Sequence, residues 1–300
     1  MCAGYRCESS ETLDFVTNEA FTTTGSFSLD LKRILTVVPA RYASTRFPGK
    51  PLAHIQGVPM VQQVVERIKE STLKDSHYLV ATDDTRIESA LKEFQTPVLM
   101  TRPDHPSGSD RLWEAYQRFV ENHDECQGIE WIINIQGDEP FISPHDLDVL
   151  LQSIQRFEYE ADIITLITPY FGTEQAKSLD DAKTSLNNPN RVKALYTGSG
   201  KILYFSRLPI PYSREPLDFL RHCQSDSNVY YRHIGVYAYK VEALKRFVSS
   251  SPSRLEQLEQ LEQLRALELG MSIYAGIISQ APIGVDTPED LQQLILKEAL

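Results

Sequence analysis

Between Val37 and Leu52 the chain reads VVPARYASTRFPGKPL, and three cations in it, Arg41, Arg46 and Lys50, surround Gly49 and two further prolines. The β-branched run Ile34-Leu35-Thr36-Val37-Val38 precedes them and stops at Pro39. Fixed cations beside free backbone N–H groups suit a polyphosphate. Neither G-x-x-x-x-G-K-[ST] nor G-x-G-x-x-G is present here, and a solvated basic loop without a ligand stays open as the alternative. Three other segments carry candidate chemistry. TRPDHPSGSDR (Thr101 to Arg111) offers Arg102 and the small residues Ser107 and Gly108 just before a helix, where backbone can approach a base or phosphate. An ordinary loop with a capping serine reads equally well. In Gln136-Gly137-Asp138-Glu139-Pro140, Asp138 leaves a strongly apolar run next to glycine, a place for a hard metal ligand. Mg²⁺ needs only one or two carboxylates and takes its other ligands from phosphate and water. The alternative is a plain Gly-Asp-Pro turn. Asp286, one residue before the helix start Thr287-Pro288-Glu289-Asp290, is a second candidate, although helix-start chemistry alone explains its position. Together, a basic loop and strand-end aspartates point to nucleotidyl transfer: an acceptor oxygen attacks an α-phosphorus and pyrophosphate leaves.

Strands and helices must alternate to hold these segments at one sheet edge. Strands are predicted at 34–38, 78–81, 98–100, 131–136 and 163–167, with helices at 60–70, 86–94, 109–120 and 144–157 between them. This rhythm predicts an α/β fold, a mainly parallel central sheet with helices on both faces. The carboxyl edge of such a sheet is where ligands bind. After Ile167 the pattern changes. Residues 191–207 alternate like antiparallel strands around Gly198-Ser199-Gly200, and a smaller antiparallel subdomain is expected over about 170–240. Gly198-x-Gly200-Lys201 lacks the Ser/Thr of a phosphate loop and reads as a hairpin turn. A strand at 230–239, a helix at 242–248, a single helix at 253–269 with its leucine face in the core, a strand at 273–277 and a helix at 288–299 complete the chain.

Three hundred residues with 41% hydrophobic content allow one large domain, here 32–300. The leader 1–31, rich in Ser, Thr and Glu and without an apolar signal region, is expected to be disordered. A net charge of -11 argues against nucleic acid as a partner and favours a small anion bound at a local basic loop. No apolar run reaches the roughly 18 residues of a membrane span. Four cysteines without a C-x-x-C pair fit a reducing cytoplasm.

Nine segments, PARYASTRFPGKPL, ATDD, TRPDHPSGSDR, NIQGDEP, NPNRVKALY, LYFSRLPIP, YRHIGVYAY, LEQLEQLR and GVDTPEDL, occur in this order over about residues 33–298. In this they closely resemble the 3-deoxy-manno-octulosonate (Kdo) cytidylyltransferases. The resemblance implies a nucleotide-diphospho-sugar transferase fold, a homodimer, Mg²⁺ as cofactor, and the reaction CTP + Kdo → CMP-Kdo + pyrophosphate, which activates Kdo for lipopolysaccharide synthesis. Carried onto this sequence, it gives Arg41, Arg46 and Lys50 the CTP phosphates. Ala40, Arg102, Ser107 and Gly108 surround the cytosine and ribose, and Asp138 and Asp286 hold the magnesium. Gln136 is shared between CTP and the sugar, with Arg207, His233, Tyr237, Glu262 and Gln263 lining the sugar pocket. Arg207 suits the acceptor's carboxylate. Other readings remain: a surface ion pair for Arg207, a satisfied core histidine for His233, and the polar side of the leucine helix for Glu262 and Gln263. Pro106 departs from the family's common Gln, and part of 172–186 looks like an insertion. No protein general base is evident. A related ulosonate, 8-amino-Kdo or sialic acid, is the nearest alternative acceptor, and a non-catalytic nucleotide-binding protein is the alternative of another class.

Overall fold

The computed structural model describes residues 29–43, 47–123, 126, 128–170, 184–214, 229–285 and 287–292. The leader up to residue 28, Arg46, Asp286, the polar stretches 171–183 and 215–228, and residues 293–299 of the expected last helix lie outside the described residues.

The core strand is β1 (Ile34–Ala40), whose apolar residues are buried on both faces, as a central parallel strand requires. It pairs in parallel with β4 (His77–Thr82) and β6 (Trp131–Asn134). A small hairpin, β2 (His54–Ile55) with β3 (Val58–Pro59), precedes the first helix. The edge strand β5 (Val98–Met100) follows β4. Beyond β6 the sheet changes character. The long strand β10 (Tyr231–Lys240) runs antiparallel between β6 and β7 (Ile163–Pro169). The hairpin of β8 (Lys193–Tyr196) and β9 (Ile202–Ser206) joins through β8 to β10, and β11 (Ile273–Ile277) closes the far edge parallel to β7. The order is β11-β7-β10-β6-β1-β4-β5, so the mainly parallel sheet holds with one antiparallel strand set into its middle.

Helices cover both faces. One core layer packs α1 (Met60–Glu70) and α4 (Pro144–Arg156) against Ile34, Val38, Ile133, Ile164 and Leu166. The other packs α3 (Gly108–Asn122) and α5 (Val241–Val248) against Leu35, Val37, Ile132 and Ile273. The short α2 (Thr85–Lys92) starts at Asp84, whose carboxylate accepts from the Arg86 N–H. Ser107 caps α3, and a reciprocal Ser143–Asp146 capping box starts α4. Among the described residues no helix is long and apolar enough to cross a membrane.

Three local expectations are corrected. β1 does not stop at Pro39 but runs on to Ala40. The ring of Pro39 takes the place of an N–H on the β6 side, where β6 has already ended, so no ladder bond is lost. β6 is correspondingly shorter than expected and stops at Asn134, where the chain turns toward Gln136 and Gly137. The single helix over 253–269 is two helices, α6 (Arg254–Glu259) and α7 (Gln263–Glu268), broken at Gln260 with φ 52°. A three-residue leucine repeat explains the break. Each step of three residues falls about 60° short of a full turn, so the leucines wind around the helix instead of holding one face. The break lets Leu261 and Leu264 enter the core, while Leu258 is left 81% exposed. The turn at 198–200 is a hairpin as expected, with the Gly200 N–H donating to the Thr197 carbonyl.

Candidate active site at the carboxyl edge of the sheet

The loop after β1 folds back on itself. The Gly49 N–H donates to the Tyr42 carbonyl at 2.9 Å, and Gly49 has φ 75°, a left-handed conformation that glycine adopts without strain. The Arg86 guanidinium stacks 3.3 Å from the centre of the Tyr42 ring and clamps the loop from the α2 side. From this fold Lys50 reaches across to the next strand end, and its Nζ lies 2.7 Å from Asp138 Oδ2. The Lys50 side chain is 12% exposed and that of Asp138 39%, so the pair presents its carboxylate side to solvent.

Gly137 allows Asp138 to sit there. A Cβ at Gly137 would stand 2.9 Å from the Pro39 carbonyl oxygen, so only glycine lets β6 exit this close to β1. The Val285 N–H donates to the Asp138 carbonyl at 3.2 Å, which brings the segment before Asp286 to the Asp138 loop. Asp286 itself lies outside the described residues, as does Arg46. Among the described residues no group of three or more His, Cys, Asp or Glu is arranged to hold a metal. A single half-exposed carboxylate fits a cation that draws its remaining ligands from phosphate and water.

Arg41 follows buried Ala40 at the end of β1. Its Nη2 is buried without a hydrogen-bond partner. Burial, and then the like charge of Arg111, push this guanidinium below its ordinary range, while Asp83, Asp110 and Glu262 act in the other direction. Arg111 is fully buried, bonded to Asp83 at 2.8 Å and to the Thr101 hydroxyl. It fixes the loop after β5 onto the loop after β4 and leaves Arg41 the under-compensated cation of the group. The same loop is held by buried His105, whose Nε2 contacts Glu114. Arg102 is exposed, and its partners are Asp104 and Glu114 rather than the cations of the first loop.

Across the sheet, Glu262 joins the two halves. Burial pushes its carboxyl up, and the hydroxyls of Ser107 and Ser109 together with Arg265 pull it back. Ser109 Oγ donates to Glu262 Oε2 at 3.2 Å, so the first turn of α3 and the residue before α7 meet there. Gln263 opens α7 beside it. Arg265 grips Glu256 with two nitrogens at 2.8 and 2.5 Å, fixing α7 against α6. The neighbouring tyrosines Tyr237 and Tyr239 have their hydroxyls pushed well up by burial. The His233 ring packs 5.2 Å from that of Tyr237 and 4.9 Å from that of Phe205, and its Nε2 is 3.1 Å from Thr165 Oγ1. Burial pushes this imidazole down to about 3, so it is neutral at physiological pH. Gln136 stands at the turn between β6 and Asp138, where its carbonyl accepts from the Glu139 N–H.

Arg207 is engaged differently from its expected role. Its Nε, Nη1 and Nη2 donate to the carbonyls of Glu259 (2.6 Å), Pro189 (2.9 Å) and Gln260 (3.0 Å). The guanidinium therefore braces the break between α6 and α7. Sequence alone gave no role to Arg111, Asp83, Tyr239 or Lys193. A charged residue inside an otherwise capping-type motif, as in Ser-Asp-Arg after Thr-Asp-Asp, is the one signal that could have flagged the first two.

The fold and this edge define an α/β nucleotidyltransferase-type protein, with polyphosphate-handling cations on one half and a polar pocket on the other. A family model described as cytidylyltransferase matches residues 35–273. A 3-deoxy-manno-octulosonate cytidylyltransferase of Parabacteroides distasonis is 43% identical over 267 residues, covering 88% of this chain and 98% of the relative. One from Thermodesulfovibrio yellowstonii is 43% identical over 256 residues, covering 85% and 94%. A solved CMP:2-keto-3-deoxy-manno-octonic acid synthetase complexed with CTP superposes with TM-score 0.75 at 35% identity, covering 89% of this chain and 98% of that one. The chain belongs to the cytidylyltransferase family, among the 3-deoxy-manno-octulosonate cytidylyltransferases.

Proposed function

We propose that this enzyme transfers CMP from CTP to Kdo in the cytoplasm: the anomeric hydroxyl attacks the α-phosphorus, the bond to the β-phosphate oxygen breaks, and pyrophosphate leaves. The observation that carries this is the pairing of an under-compensated, half-buried Arg41 with the Lys50–Asp138 couple at one sheet edge. Arg41 and Lys50 supply fixed positive charge to the phosphates, and Arg46 joins them. Such charge, organised before the reaction, is worth most where it develops in the transition state. Asp138, with Asp286, would hold Mg²⁺, which would neutralise phosphate charge and lower the pKa of the attacking hydroxyl. Ala40, Arg102, Ser107 and Gly108 surround the nucleoside, and Gln136 stands between donor and acceptor. His233, Tyr237, Glu262 and Gln263 line the sugar pocket. A neutral His233 of such low basicity serves to hydrogen-bond a sugar hydroxyl rather than to take its proton.

The test is pyrophosphate release from CTP and Mg²⁺ with Kdo, 8-amino-Kdo, N-acetylneuraminate or no acceptor. Release with Kdo alone is expected. Release only with another acid keeps the chemistry and changes the pocket assignment, and no release from folded, CTP-binding protein overturns the reading. A homodimer belongs to the same proposal. Leu208 (72% exposed) and Leu258 (81%) adjoin Arg207 and Glu259, which are bonded to each other, and leave large apolar side chains open to solvent there. Sedimentation equilibrium of Leu258→Asp is expected to give a monomer where the parent is a dimer.

A further inference from the structure

The acceptor half holds four cations close together: Arg191, Lys193, Arg207 and Arg232. Three of them are committed to the protein. Arg207 has every guanidinium nitrogen on a backbone carbonyl. Lys193 is fully buried, and its Nζ donates to the carbonyls of Asn188 at 2.8 Å and Arg207 at 2.7 Å. Arg191 holds the Ser185 hydroxyl, and its carbonyl accepts from the Tyr170 hydroxyl at 3.0 Å.

Arg232 is the exception. It lies on β10 immediately before His233 and opposite Lys193 of β8 and Thr168 of β7. It is half-buried, yet among the described residues it donates no hydrogen bond and forms no ion pair. Burial and the like charge of Arg191 work against its charge, and only Tyr170 and Glu139 favour it, from beyond ion-pair distance. The Thr168 hydroxyl across the ladder is buried and equally without a partner. A guanidinium withdrawn from water and crowded by like charge is unfavourable until an anion arrives. Its planar fork matches a carboxylate with two parallel hydrogen bonds.

We propose that Arg232 receives the carboxylate of the ulosonate acceptor, while Arg207 braces the pocket through the Gln260 turn. This rests on the reaction proposed above. A phosphate oxygen offers similar chemistry, but Arg41 and Lys50 already stand on the donor side, and Arg232 lies level with Lys193, whose Nζ holds the Arg207 carbonyl, on the face of β10 opposite to His233.

The experiment compares the parent enzyme with Arg232→Met and Arg232→Lys, using Kdo and its uncharged C1 amide as acceptors and varying CTP separately. Loss of a charge-assisted bidentate contact predicts about a 100-fold fall in kcat/KM for Kdo in Arg232→Met. The KM for CTP should stay within about twofold, since a contact made only to the acceptor leaves donor binding alone. The parent's preference for Kdo over the amide should collapse in Arg232→Met and return in part in Arg232→Lys. A purely structural role would lower activity toward both acceptors together and preserve their ratio, which overturns the proposal. A rise in KM for CTP with Kdo unaffected overturns it in favour of a phosphate contact. If Arg232→Met does not fold, the acid-to-amide ratio in Arg232→Lys decides. Failure of the underlying reaction is distinct: the parent enzyme then releases no pyrophosphate with any ulosonate, and calorimetry shows no Kdo binding.

Discussion

The two halves of the sheet handle polarity in different ways. The half built on β1, β4, β5 and β6 is parallel, and its charges sit off the strands, in the loops and helix starts that follow them: Lys50, Asp83, Arg111 and Asp138. There charge meets charge, with Lys50 on Asp138 and Arg111 on Asp83, and Arg41 left over. The half built on β7 to β10 is antiparallel, and its polar groups sit on the strands themselves. There burial keeps His233, Tyr237 and Tyr239 neutral. A loop can bend a cation toward water or a partner, whereas a strand side chain goes where the pleat points it. The first half is therefore suited to a highly charged nucleotide and the second to a hydroxyl-rich sugar, with Glu262 touching both.

The comparison breaks most sharply at Asp138. Replacing it with Asn is expected to lower turnover by about 10³-fold or more while the fold, followed by circular dichroism, survives. Unharmed turnover would remove the metal assignment from the donor half. Arg41→Met is expected to lower kcat/KM for CTP by about 10²-fold, with the KM for the acceptor unchanged; equal effects on both substrates would erase the division of labour. Gly137→Ala forces a Cβ against the Pro39 carbonyl and should lower stability by roughly 1–3 kcal/mol, read from the denaturant midpoint.

The acceptor half has a pH signature. His233 has a folded value near 3 against an ordinary 6.5, so between these values the unfolded chain binds a proton that the folded one refuses. Stability contributed by neutral His233 is complete above pH 6.5 and is lost as pH falls toward 3. His233→Gln should flatten that part of the acid-unfolding curve, and an unchanged slope would mean the ring is more hydrated than the structure implies. The smallest effect is expected at Gln260→Gly. Relief of the left-handed conformation is partly offset by the larger unfolded-state entropy of glycine, leaving a gain below about 1 kcal/mol in thermal unfolding.

Local signals made much of this legible. The apolar runs around Val37 and Ile133 and the alternation of helix and strand prefigured a mainly parallel sheet, and Thr287-Pro288-Glu289-Asp290 marked a helix start that the Thr287–Asp290 bonds bear out. The leucine repeat misled, because a period of three mimics an amphipathic stripe over two turns and drifts off it over four. The sequence offers Arg207 the acceptor's carboxylate or a surface ion pair, and does not reveal which backbone carbonyls lie within reach of its guanidinium.

By itself the sequence determined the order of strands and helices, which glycines and cations follow the strands, and the family to which their order belongs, because these are properties of neighbours along the chain. Only the tertiary structure decided that Lys50 meets Asp138, that Arg111 is bonded to Asp83, that Glu262 reaches Ser109 and that the Arg232 guanidinium has no partner among the described residues. Those outcomes depend on which side chains compete for the same buried space. That competition is settled by packing between segments tens to more than a hundred residues apart, where no local pattern carries the information.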